Sequence, residues 1–151
     1  MATNLTTGEL IMRLGLAVLI GMVLGYDREI KGRAAGIRTH AIVALSSAVT
    51  TISAMMLFEE LQGKGEHPDP LRVIQGLAQA IGFICAGLIF VRGGTVKNMT
   101  TAANLWMSSA LGISVGLGHY LIVAIAVVMT VLLLTLVGMI ERYLPGKSPD
   151  E

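Results

Sequence analysis

Apolar residues gather into five long runs, at 9–26, 39–58, 71–91, 101–116 and 120–140. A helix needs about 20 mostly apolar residues to cross the hydrocarbon core of a bilayer. Runs of this length at this frequency leave little choice of fold: an all-α, polytopic membrane helix bundle with five transmembrane helices. Composition agrees, since 54% of residues are hydrophobic and 14% are charged, against about 25% charged in soluble domains. The fourth run is short, so four spans plus a re-entrant fourth segment is the rival arrangement. A net charge of +1 gives no reason to expect a nucleic-acid partner. No linker or low-complexity tract divides the chain, and 1–151 reads as one transmembrane domain.

Local signals mark the helix ends. Thr6-Thr7-Gly8-Glu9 has the form of a capping box, and Asp69-Pro70 suits the opening of the third helix. Thr100 or Thr101 can cap the fourth helix, and "GLGH" at 116–119 is a tight turn before the fifth. Arg13 lies one turn into the first span, where its stem can carry the charge to the interface. The first run follows no basic n-region and reads as a retained helix, not a secretory signal. The single cysteine, Cys85, has no intramolecular partner and reads as a small buried hydrophobe.

Basic residues set the expected orientation. Arg28, Lys31, Arg33 and Arg38 flank the first loop, Arg92 and Lys97 the third, and Arg142 and Lys147 lie in the tail. The second loop has Lys64 among Glu59, Glu60, Glu66 and Asp69. By the positive-inside rule the first and third loops and the C-terminus face the cytoplasm, and the N-terminus faces out.

Small and polar residues recur at helical spacing within the spans. Asn104, Ser108, Gly112 and Gly116 are each four apart, and so are Gly21 and Gly25. His40, Ala44, Ser47, Thr51 and Ala54 stripe the second span, and Gln75, Gln79, Gly82 and Ala86 the third. Such stripes are packing seams between membrane helices. Their other reading is a polar cavity lined by Ser47, Gln79, Asn104 and Ser108. Five short helices enclose little, so a homo-oligomer is expected.

The stretch "GYDREIKGRAAGIRTH" (25–40) holds six charged residues and three glycines. Topology accounts for its basic residues but not for Asp27 and Glu29, which sit at a helix end that favours cations. Arg28, Arg33 and Arg38 can pair with these carboxylates, pinning the first span to the second. Alternatively, the arginines hold a phosphate or lipid head group, or Asp27 and Glu29 hold a hard cation such as Mg2+. The third loop repeats the pattern with Arg92, Gly93-Gly94, Lys97 and a helix opening at Thr100-Thr101, whose amides suit an anion. The two loops are expected to meet at one polar cytoplasmic surface. No enzymatic motif is present, the three histidines are far apart in sequence, and no catalysis is expected.

"GYDREIKGRAAGIRTHAIVALSSA", followed by "QAIGFICAGLIFVRGGTVKNMTTAANLWMSSALGISVGLGHY", resembles the MgtC/SapB family across residues 10–140. Departures are Tyr26-Asp27, where Leu-Glu is usual, and Asn104, where threonine is more usual. The resemblance covers the membrane domain, without the soluble C-terminal domain that many members carry. It implies a multi-pass protein of the bacterial inner membrane, from a virulence-associated family linked to magnesium homeostasis. It also implies action on another membrane complex, the F-type ATP synthase, with a small transporter or channel as the alternative. The matched positions are Asp27, Arg28, Glu29, Gly32, Arg33, Gly36, Arg38, Thr39, Arg92, Thr100, Thr101 and Trp106. Expected contacts are membrane lipid, a second copy of the chain and another inner-membrane complex.

Overall fold

The computed structural model describes residues 5–141, which form five α-helices and one β-hairpin. The helices are α1 (Thr7–Ile30), α2 (Ile37–Gly63), α3 (Leu71–Leu88), α4 (Met99–Gly116) and α5 (Tyr120–Glu141). Strands β1 (Phe90–Arg92) and β2 (Thr95–Lys97) lie between α3 and α4. The chain is a multi-pass membrane helix bundle. Helices α1, α2, α3 and α5 are each long and apolar enough to span a bilayer.

The exception, α4, explains the arrangement. It is not among the helices apolar enough to span on their own, and protein rather than lipid surrounds most of it. Thr101, Asn104, Ser108, Ser109, Gly112 and Gly116 are all buried along it. It touches each of the other four helices. At its start Thr101 meets Arg28 of α1, and at its end Gly116 meets Arg13 of α1. It therefore runs the full height of the bundle and does not turn back, unlike a re-entrant segment.

Close backbone contact holds α1, α2 and α4 together. A Cβ built on Gly21 would lie 2.5 Å from Ala41 Cα, and one on Gly25 would lie 2.6 Å from Ile37 Cα. A Cβ on Gly112 would collide with the Ala44 carbonyl. Helices in lipid gain little from excluding apolar groups, so such approaches supply the dispersion that binds them. Around these contacts Ala17, Ile20 and Leu24 of α1 pack with Ala48, Leu111, Val115 and Val123. A second cluster joins Ile81 and Cys85 of α3 to Ala102 and Leu105 of α4.

Several expectations need correction. The third helix ends at Leu88, not Val91, because residues 90–97 pair as an antiparallel hairpin. Gly93 and Gly94 both have positive φ (60° and 80°) between the paired Arg92 and Thr95, which suits a two-residue primed turn. Neither Thr100 nor Thr101 caps α4, whose N-cap is the left-handed Asn98. Asn98 Nδ2 donates to the Leu88 carbonyl at 3.1 Å, tying the hairpin's base together. Arg13 does not reach outward. It is buried, paired with Glu9 at 2.5 Å, and donates to the Gly116 carbonyl at 2.6 Å. It thereby serves the C-terminus of α4, where a cation is favoured. Arg142 and Lys147 lie outside the described residues.

The start of α1 follows the sequence, while that of α3 is shifted by one residue, with Pro70 rather than Asp69 at the N-cap. Thr6 Oγ1 accepts the Glu9 amide at 3.2 Å, and Asp69 Oδ1 accepts the Leu71 amide at 2.9 Å. Helices α1 and α2 extend past the expected 9–26 and 39–58 because their polar ends continue the helical turn beyond the apolar part.

Candidate functional site

The C-terminal end of α1, the N-terminal ends of α2 and α4, and the hairpin meet at one end of the bundle. The link is Arg28, whose Nη2 donates to Thr101 Oγ1. Arg28 is 2% exposed. Its position on α1 faces α4, so its guanidinium projects into protein from the last helical turn.

The two acidic residues beside it do not pair with arginine. Asp27 forms an ion pair with Lys31 at 2.5 Å. Glu29 Oε2 accepts the amide of Ile37 at 3.0 Å. That amide opens α2, whose N-cap, Gly36, has no side chain to offer. The Glu29 carboxylate occupies the place a Cβ on Gly36 would take. Glycine here lets α1 cap α2, and the carboxylate suits the positive end of the helix. The predicted Asp/Glu–Arg network is thus replaced by one local ion pair and one cap. Among the described residues no group of three His, Cys, Asp or Glu side chains comes together to hold a metal. The linking loop bends through Gly32 (φ 60°) and Ala35 (φ 55°). Left-handed backbone at Ala35 costs roughly 1–2 kcal/mol.

One turn deeper lies a buried polar cluster. His40 Nδ1 is 2.9 Å from the Gly36 carbonyl, which only accepts, so Nδ1 carries the proton. His40 Nε2 then accepts from Asn104 Nδ2 at 3.2 Å, and the second Asn104 hydrogen goes to the Leu24 carbonyl at 3.1 Å. Asn104 thus ties α1, α2 and α4 together. Two atoms in this region have no hydrogen-bond partner among the described residues, Arg28 Nε and Asn104 Oδ1. Further along the same seam, Ser47 Oγ lies 2.8 Å from Ser109 Oγ, and Ser108 Oγ donates to the Asn104 carbonyl at 3.2 Å.

The candidate residues therefore fall into three groups. Arg28, Thr101, Ser47, Asn104 and Ser108 are buried between α1, α2 and α4. Arg38, Thr39, Arg92 and Thr100 are exposed at the polar end, with Arg33 and Asp27 half-buried among them. Gln79 belongs with neither group. It is exposed on the outer side of α3, apart from Ser47 and Asn104, so these residues do not line one cavity. Trp106 is also exposed, on the side of α4 away from the seam. His40 and Arg13 are central contributors that were not among the expected site residues. The signal for His40 was its place in the α2 stripe, four residues before Ala44.

Asn104→Ala is expected to destabilise the protein by roughly 1–3 kcal/mol, because it removes two interhelical bonds and leaves His40 Nε2 unpaired. The check is the melting temperature of the purified protein in detergent.

Comparison with known proteins agrees with this architecture. The chain is 33% identical over 144 residues to an Escherichia coli K12 protein named "Putative magnesium transporter YhiD", covering 94% of this chain and 66% of that protein. It is 35% identical over 114 residues to Protein SapB of Bacillus subtilis, covering 74% of this chain and 49% of that one. It is 37% identical over 111 residues to Protein MgtC of Salmonella typhimurium LT2, covering 73% and 44%. The chain thus spans about half to two-thirds of the length of these relatives. No solved structure matches it. A sequence model of the MgtC family matches residues 14–143, and the chain belongs to that family.

Proposed function

We propose that this protein is a non-enzymatic factor of the bacterial inner membrane that serves adaptation to low magnesium through contact with another membrane complex, such as the F-type ATP synthase. The observation that carries the reading is the division of polar groups. Those inside the bundle bond mainly to one another and to helix carbonyls, while Arg38, Thr39, Arg92 and Thr100 are exposed together at one end. Arginines presented this way suit carboxylates or phosphates on a partner. The name of the Escherichia coli relative supports the link to magnesium. In this reading the polar end faces the cytoplasm, as the basic loops require. Lys64→Cys would then be labelled only from outside.

A small ion or solute transporter is the second reading, and the name of the Escherichia coli relative favours it. Gln79 facing away from Ser47 and Asn104 weighs against a path through one protomer.

The test uses a deletion strain and strains complemented by the native chain or by Arg38→Ala, shifted to low magnesium, with intracellular magnesium and ATP measured together. The expected result is raised ATP with unchanged magnesium in the deletion, and no rescue by Arg38→Ala at normal protein levels. A fall in magnesium that precedes any ATP change would favour the transporter. Rescue by Arg38→Ala would remove the arginine surface from the mechanism.

A further inference from the structure

On α3, Gln75 and Gln79 are exposed one turn apart, with Gly76 and Ala80 beside them and Phe83 83% exposed on the following turn. Gln79 is eight residues into an 18-residue helix, about 12 Å along it, and so near the middle of the bilayer. Neither carboxamide makes a hydrogen bond within the chain, among the described residues.

Other polar side chains facing outward from the spans behave differently. Ser46 donates to the Val43 carbonyl at 3.0 Å, Thr50 to Ser46 at 2.8 Å, Thr130 to Ala126 at 2.7 Å and Thr135 to Val131 at 2.8 Å. A hydroxyl can share a carbonyl already used by its own helix. A carboxamide oxygen cannot do the equivalent, because every mid-helix amide is committed to the helical ladder. Left in lipid, Gln75 and Gln79 would each keep an unpaired acceptor and two unpaired donors.

We infer that the Gln75–Gln79 face of α3 is the interface of a homodimer, with a second copy of this chain as its occupant. The chemistry selects a copy over a different partner. A carboxamide carries both donor and acceptor, so two of them satisfy each other. A two-fold axis along the membrane normal brings each residue to its own depth in the partner. Gln79 then meets Gln79 of the partner subunit where no water reaches. Gly76 and Ala80 allow the backbones close enough for that bond. The element is also free to serve: α3 buries only Ile81 and Cys85 within the protomer.

Disulfide cross-linking in native membranes tests this. Cys85 is the single cysteine, so Cys85→Ser provides the background. Gly76→Cys, Gln79→Cys and Phe83→Cys should each give dimers on oxidation, and Leu132→Cys, exposed on α5, should not. In the otherwise native chain, the Gln75→Leu/Gln79→Leu pair should weaken dimerisation in lipid by roughly tenfold or more, counted by single-molecule photobleaching. Its melting temperature diluted in detergent should be unchanged, since leucine is at home on a lipid face. Cross-linking as strong at Leu132→Cys as at Gln79→Cys would overturn the assignment. So would a native chain that is monomeric in lipid, or a double leucine variant that dimerises normally.

Discussion

Gly21→Val will prevent α1 and α2 from packing and leave little folded protein in the membrane. The Cβ alone would lie 2.5 Å from Ala41 Cα and from the His40 carbonyl oxygen. Both neighbours are helix backbone, so neither can swing aside as a side chain would. The helices must separate, and every interhelical bond near the contact lengthens with them. Asn104 bridges Leu24, His40 and α4 within this region. Overpacking a tight core costs about 1–3 kcal/mol and sometimes more, and a backbone collision belongs at the top of that range. Gly112→Val, pressing on the Ala44 carbonyl, should behave alike. The paired control is Gly82→Val and Gly87→Val, where a Cβ meets nothing within 4 Å. Monodisperse yield of a fluorescent fusion in detergent measures the outcome. A normal yield for Gly21→Val would show that α1 and α2 do not meet as described.

Arg28→Met should keep the fold and abolish function. Arg28 is a buried cation with no carboxylate, since Asp27 is held by Lys31 and Glu29 by the α2 amide. Its tie is to the Thr101 hydroxyl, and its Nε has no hydrogen-bond partner among the described residues. Arg33 acts on Arg28 unfavourably, and the weaker favourable pull of the Asp27 charge does not outweigh it. The C-terminal dipole of α1 offsets this by only about 1 kcal/mol. Burying a charge costs several kcal/mol, and apolar replacements of similar shape often match or improve stability. Methionine fills the space of the stem without the charge. The variant should therefore melt at or above the native temperature in detergent, yet fail to complement a deletion in low magnesium. Stability without its charge and full complementation together would exclude Arg28 from the mechanism. A large drop in melting temperature would make it a structural residue instead.

Much of this was legible along the chain. Five apolar runs and the Thr6 cap of α1 are local properties, and a helix in lipid satisfies its backbone without help from distant residues. The stripes on α2 and α4 were also legible, because close packing in lipid demands small residues at a fixed spacing. They face each other as Gly112 against Ala44 and Ser109 against Ser47. That the two basic loops share one end follows from the alternation of spans, and the Arg28–Thr101 contact bears it out.

Pairings between distant residues were a different matter. Asp27 and Glu29 stood among several cations, and sequence distance could not choose between them. Helical spacing favoured Lys31 for Asp27, while the bare amide at the start of α2 took Glu29. Arg13 read as a residue that snorkels until α4 supplied its C-terminus as a buried partner. Gly93-Gly94 read as part of a charged loop, and pairing across it gives both glycines one defined conformation. Gln79 matched the seam by residue type, and only the rotation of α3 about its axis turned it outward. Spacing along a helix tells which residues share a face. Which neighbour that face meets depends on how five helices fill space together, a property that belongs to no single stretch of the chain.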